Sequence, residues 1–175
     1  MSKILIVYSS QDGQTLKICQ TLQAEIETVL YQVTLTSLDA ADAIDFSLFD
    51  KIVIGASIHY GHHDAGVHAL IKRHQTLLNS KPSAFFSVNI VARKPGKNTP
   101  ETNPYLLKFL KKIAWKPKLL AVFAGKLDYP SYSAFDRWMI RSIMWLTKGP
   151  THPDAVIEFT DWHQVQAFAQ QIIKM

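Results

Sequence analysis

Hydroxyl and glycine residues crowd one short stretch near the start of the chain, Ser9-Ser10-Gln11-Asp12-Gly13-Gln14-Thr15. An apolar run precedes it and a helical pattern follows. In that setting small side chains let backbone N–H groups converge on an anion, and the helix N-terminus adds a favourable dipole, so the chemistry is phosphate binding. The candidate phosphate-holding positions are Ser10, Gln11, Asp12, Gly13, Gln14 and Thr15, with Lys17 one turn in as an added positive charge. The stretch has neither the Gly-Lys-Ser/Thr of a Walker A loop nor the GxGxxG of a dinucleotide loop. A tight strand-to-helix turn capped by Ser10 would read the same way.

Three further stretches could frame a flat ring system. Ser57-Ile58-His59-Tyr60-Gly61 joins aliphatic and aromatic side chains to a glycine suited to sharp reversal. The others are Asn89 to Arg93, with Asn89, Val91 and Ala92 as candidates, and Gly125 to Tyr129, with Gly125, Leu127 and Tyr129. His59, His62, His63 and His68 lack a convergent carboxylate or cysteine, which argues against a metal centre. Asp12 alone does not supply the paired acids of a phosphoryl-accepting response regulator.

The elements that must position these loops alternate along the chain. Lys3–Tyr8, Val33–Thr36, Lys51–Ala56, Ala84–Ile90 and Leu119–Ala124 read as strands, the first as the continuous apolar run of a strand buried on both faces and the third as a central strand. Helical spacing marks Thr15–Leu30 (Cys19, Leu22, Ile26, Val29), Val67–Leu78, Tyr105–Ile113 and a last helix from Trp162 to Ile172, with Thr160 as its candidate N-cap and Asp161 in its first turn. Alternation of this kind predicts an α/β sandwich of three layers around a five-stranded parallel sheet of order 2-1-3-4-5, joined by right-handed crossovers. Ligands of such sheets sit outside the carboxyl ends of the strands at the switch point, where the loops above lie. One domain is expected over 1–175, with an insertion at about 126–155.

The net charge is +5, and it is uneven. Between Arg93 and Lys118 stand Arg93, Lys94, Lys97, Lys108, Lys111, Lys112, Lys116 and Lys118 against Glu101 alone. Such a region suits an anionic partner: nucleic acid, anionic lipid or a carboxylate-bearing substrate. For Lys108, Lys111 and Lys112 a solvated helix face is the plain alternative. The single cysteine, Cys19, excludes an intrachain disulfide. The first apolar run is too short for a signal peptide, and no run is long enough to span a bilayer.

Within the insertion, Ser133 and Asp136 form a capping-box pattern opening a helix to about Leu146. Arg137, Arg141 and Lys148 fall on one stripe of it, and Phe135, Trp138, Met139, Ile143 and Leu146 on the opposite face. Ile140, Met144 and Trp145 flank the cations. A helix so patterned can lie in a membrane interface, and the candidates for membrane or quinone contact are Arg137, Trp138, Arg141, Met144 and Trp145. The alternative packs the apolar face on the sheet.

SSQDGQT, IGASIHYGHH, KPSAFFSVNIVARKPGKNTP, AGKLDYPSYSAFDRWMI and TDWHQVQAFA, in that order, resemble the flavodoxin-like, quinone-linked protoporphyrinogen oxidases of bacterial haem synthesis. The resemblance runs over nearly the whole chain. Asp12 departs from the flavodoxin phosphate loop, where a hydroxyl residue is usual; it suits a helix cap better than a phosphate ligand. The resemblance implies FMN as cofactor, protoporphyrinogen IX as substrate and menaquinone or ubiquinone as acceptor. It places the protein peripherally on the cytoplasmic face of the bacterial inner membrane, with no nucleic-acid partner. A macrocycle with two propionates suits a basic rim, for which Arg93, Lys94 and Lys97 are the candidates. A non-catalytic FMN carrier and an anion-binding module without redox activity are the alternatives.

Overall fold

The computed structural model describes residues 1–175. At its centre β1 (Ser2–Ser9) lies between β2 (Tyr31–Ser37) and β3 (Lys51–His59), all parallel, with Ile6 opposite both Leu35 and Val53. A two-residue strand β4 (His62–His63) folds back on β3, which extends beyond its expected end at Ala56. After helix α2 (Ala65–Ser80) come β5 (Ser83–Asn89), α3 (Pro104–Leu110) and β6 (Leu119–Ala124). The sheet runs β2-β1-β3-β5-β6. Counting the parallel strands alone, this is the expected order 2-1-3-4-5.

Successive side chains of a strand point to opposite faces, so β1 feeds two cores. Leu5 and Val7 pack with Val67, Leu70 and Ile71 of α2 and Leu106 and Phe109 of α3. Ile4 and Ile6 pack with Ile18, Leu22 and Ile26 of helix α1 (Gln14–Glu27) and Val165, Phe168 and Ile172 of helix α5 (Trp162–Lys174). These layers hold the carboxyl ends of the strands in place. Two expected helix ends shift. Helix α1 stops at Glu27, leaving Val29 and Leu30 exposed, because the chain must turn there to enter β2. Asp161, not Thr160, caps α5 by accepting from the His163 and Gln164 N–H groups; Thr160 is buried instead.

Between β6 and α5 the chain builds a small unit of its own. Strands β7 (Lys126–Asp128) and β8 (Val156–Glu158) pair antiparallel, and helix α4 (Ala134–Leu146) packs across them over a core of Leu127, Tyr129 and Met144. Ser133 caps α4 as expected, accepting from the Asp136 N–H at 3.1 Å. The facing of α4 corrects the sequence expectation for Met144: it is 1% exposed, whereas Trp138 and Trp145 are 67% and 74% exposed. Nor does the cationic stripe simply face water. Arg137 donates to the Tyr129 carbonyl at 3.0 Å and Arg141 to that of Thr151 at 2.9 Å, so both guanidinium groups fasten the helix to its own unit.

Candidate functional site

Strand β1 ends at Ser9, and the chain turns into α1 through Gly13, whose φ of 83° is the left-handed conformation glycine adopts without strain. The Ser10 hydroxyl accepts from the Gly13 N–H at 3.1 Å, which closes the turn, yet no side chain caps α1. The first-turn N–H groups of a helix have no intrahelical partner. They therefore stand free at the positive end of the dipole, facing a crevice of ≈ 50 Å³ lined by Ser10, Asp12, Thr15, Ser57, Ile58 and Gly125 among others. A Cβ built on Gly13 would meet nothing within 4 Å. The Thr15 hydroxyl is buried in this crevice and is the only buried side-chain polar atom in the chain without a hydrogen-bond partner. Buried hydroxyls are ordinarily satisfied. An anion at the helix start would receive both the free N–H groups and this hydroxyl, so the loop fits a phosphate.

The neighbouring charges are arranged differently from the sequence reading. Lys17 is held 2.7 Å from Glu158 and so is not a free partner for an anion. Glu158 also receives Gln14 Nε2 at 2.9 Å and Trp162 Nε1 at 3.1 Å. Lys17 first, then Gln14, holds its carboxyl down at about 2. Gln14 donates as well to Thr160 Oγ1 at 2.9 Å, so its side chain ties α1 to the end of β8 and the segment just after it while the residue lines the crevice. Asp12 does not cap the helix. Its carboxyl sits among His59, Lys126, Asp128 and Asp136 and is raised above the usual carboxylate range, chiefly by desolvation.

The turn between β3 and β4 has positive φ at both central residues, Tyr60 (50°) and Gly61 (78°), as a two-residue hairpin turn of mirror-image type requires. A tyrosine is seldom held there without help. Its ring packs 3.9 Å from that of His59, and its hydroxyl donates to Asp136 at the start of α4. The hairpin is thereby fastened to the insertion. At the end of β5, Asn89 accepts from the Ala92 N–H at 3.0 Å and from Asn103 at 3.1 Å, and donates to the Ser87 hydroxyl at 3.2 Å. Its side chain fixes the loop while the residue lines the crevice.

Four expectations need correction. Leu127 and Tyr129 are fully buried in the insertion's core rather than beside the crevice, because β7 turns them onto Met144; the Tyr129 hydroxyl donates to the Pro150 carbonyl at 2.7 Å. Ala92 is buried among the apolar residues under the sheet. Arg93 is no free rim cation: it donates to the Ile90 carbonyl at 3.2 Å and the Thr147 hydroxyl at 3.1 Å, over the Phe159 ring. Lys94 and Lys97 stay without an acidic partner, and Lys94 is pushed down by desolvation and then by Arg93, Lys97 and Lys148. Sequence reasoning missed Lys126, which lines the crevice and pairs with Asp128 at 2.8 Å. Its place directly after Gly125 was the available signal.

The description "Flavodoxin domain" fits residues 5–154. Over 170 residues the chain is 44% identical to the protoporphyrinogen IX dehydrogenase [quinone] of Escherichia coli strain K12, covering 97% of this chain and 94% of that one. It is 43% identical over 169 residues to the protein of that name from Leishmania major, covering 95% and 73%. The chain belongs to the flavodoxin-domain family. Among solved structures, oxidised flavodoxin 1 from Bacillus cereus superposes with a TM-score of 0.56 at 13% identity, covering 99% of this chain and 98% of that one. A short-chain flavodoxin associated with a PDU bacterial microcompartment gives 0.57 at 13% identity, with the same coverages. At that identity the likeness carries the fold alone. Membership of the flavodoxin family indicates flavin binding, and no helix is long and apolar enough to cross a membrane.

Proposed function

We propose that this chain oxidises protoporphyrinogen IX to protoporphyrin IX with FMN as cofactor and a membrane quinone, menaquinone or ubiquinone, as acceptor. The observation that carries the reading is 44% identity, over nearly the full length of both chains, to a protein named for that reaction. Removing six electrons and six protons from the macrocycle reduces three quinones to quinols, so atoms and electrons balance. FMN, when bound, supplies reversible two-electron redox chemistry. The protein's share is positioning. The free N–H groups at the start of α1 and the Thr15 hydroxyl hold the phosphate, and a loop with no dinucleotide fingerprint favours FMN over FAD. The Asn89–Asn103 pair and the Tyr60–Asp136 tether keep the surrounding loops rigid. Lys94 and Lys97 steer the propionates of the incoming substrate. Arg93 acts behind them by holding the insertion in place.

The exposed apolar side of α4, with Phe135, Trp138, Trp145 and Leu146, is the docking element for the cytoplasmic face of the inner membrane, where the quinone dissolves. Lys148, close enough to Lys94 to lower its proton affinity, brings positive charge to the same end. An anaerobic assay following porphyrin fluorescence tests the proposal. Porphyrin should form only when both FMN and a quinone are supplied. FMN binding without porphyrinogen turnover would overturn the enzyme reading and leave an electron carrier.

A further inference from the structure

A second cavity, of ≈ 200 Å³, opens between α2 and α3. Ile58 lines both this cavity and the cofactor crevice, and Gly61 of the hairpin turn lies on its wall, so the two spaces are neighbours. Tyr105 and Phe109 give it an aromatic side; Lys108 and Lys112 give it charge. No carboxylate lines it, and neither lysine enters any of the chain's three ion pairs. Lys108 and Lys112 stand four apart at the exit of α3, where like charges repel. Lys112 also adds to the effect of burial in lowering the proton affinity of His68. At the inner end His63 is buried, with Nε2 2.9 Å from the Ser87 hydroxyl, and is pushed down to about 3 by burial and then by His68, so it is neutral. Such a recess, cationic at the mouth, aromatic along one side and uncompensated, is the complement of an anionic head on a short apolar stem.

We propose that this cavity seats a carboxylate arm of the substrate, with Lys108 and Lys112 gripping the carboxylate and Tyr105 and Phe109 packing against its methylenes. The inference rests on the porphyrinogen reading above and adds where the substrate is held. At ≈ 200 Å³ the cavity falls below the roughly 300–1,000 Å³ of sites that enclose a whole drug-sized ligand. It takes the arm, while the ring stays over the shared wall at Ile58. The rim and the cavity then divide the work: half-buried Lys94 and exposed Lys97 speed encounter, and the cavity lysines slow release.

The test titrates the FMN-loaded protein with the product, protoporphyrin IX, and separately with its dimethyl ester, following quenching of tryptophan fluorescence. Wild type should bind the free diacid about tenfold or more tightly than the ester, since charge-assisted hydrogen bonds are lost on esterification. Lys108→Gln/Lys112→Gln should shrink that preference below about threefold by weakening the diacid alone, with FMN affinity and melting temperature unchanged. Lys94→Gln/Lys97→Gln should keep the preference and lose the salt dependence of association. The proposal is overturned if wild type has no preference, if the Lys108/Lys112 variant retains it, or if the Lys94/Lys97 variant loses it. Turnover of protoporphyrinogen by wild type is measured alongside. Its absence would defeat the reaction, while the binding contrast decides the cavity either way.

Discussion

Thr15→Val separates the two roles of one hydroxyl. In the protein without cofactor, Thr15 Oγ1 is buried and unpartnered, a state that costs about 1–3 kcal/mol. Valine keeps the shape and removes the cost, so the cofactor-free variant should be more stable than wild type by about 1–2 kcal/mol. For a chain of this size that raises the melting temperature by about 2–6 °C. With FMN the sign reverses. A hydrogen bond to a charged phosphate is worth about 1.5–3 kcal/mol, so the dissociation constant should rise roughly 10- to 150-fold. The stabilisation FMN confers at a fixed concentration shrinks accordingly. Thermal melts with and without excess FMN, together with a flavin-fluorescence titration, read both effects. A lower melting temperature without cofactor, or an FMN affinity within twofold of wild type, would refute the assignment of Thr15 to the phosphate.

Glu158→Gln tests the tie between the insertion and α1. The Glu158 carboxyl is held at about 2, first by Lys17 and then by Gln14, so its folded value lies below the ordinary one. Its contribution is therefore complete above about pH 4.5 and is lost as pH falls toward 2. Lys17 is more than half exposed, which limits the contribution to about 1 kcal/mol or less. Acid titrations of stability should show that much less acid sensitivity in the variant across this window. On α4, Trp138→Ser/Trp145→Ser should release the protein from anionic vesicles and slow reduction of a long-tailed quinone, while turnover with a water-soluble acceptor survives. Met144→Ala should instead cost about 2–5 kcal/mol of stability measured by denaturant unfolding, as a buried methionine does, with vesicle binding of the folded protein intact.

The alternation of strands and helices and the tight turn from β1 into α1 were legible in the sequence because both are local. Short continuous apolar runs such as Ile4–Val7, bounded by turn residues, read as strands covered on both faces, and Gly13 with its left-handed φ closes the turn into α1. Side-chain partnerships belonged to the tertiary structure. Lys17 meets Glu158 from 141 positions away, and Tyr60 meets Asp136 from 76, so no spacing rule could reveal that one cation is neutralised and one loop tethered. Helical periodicity assigned each residue of α4 to a side of the helix. It could not say which side β7 and β8 would cover, and that packing buried Met144 and left Trp145 exposed. The same holds for the cavity beside Tyr105: its lysines read along the chain as part of a basic region or a solvated face, and only the packing of α3 near α2 set them at the mouth of a cavity.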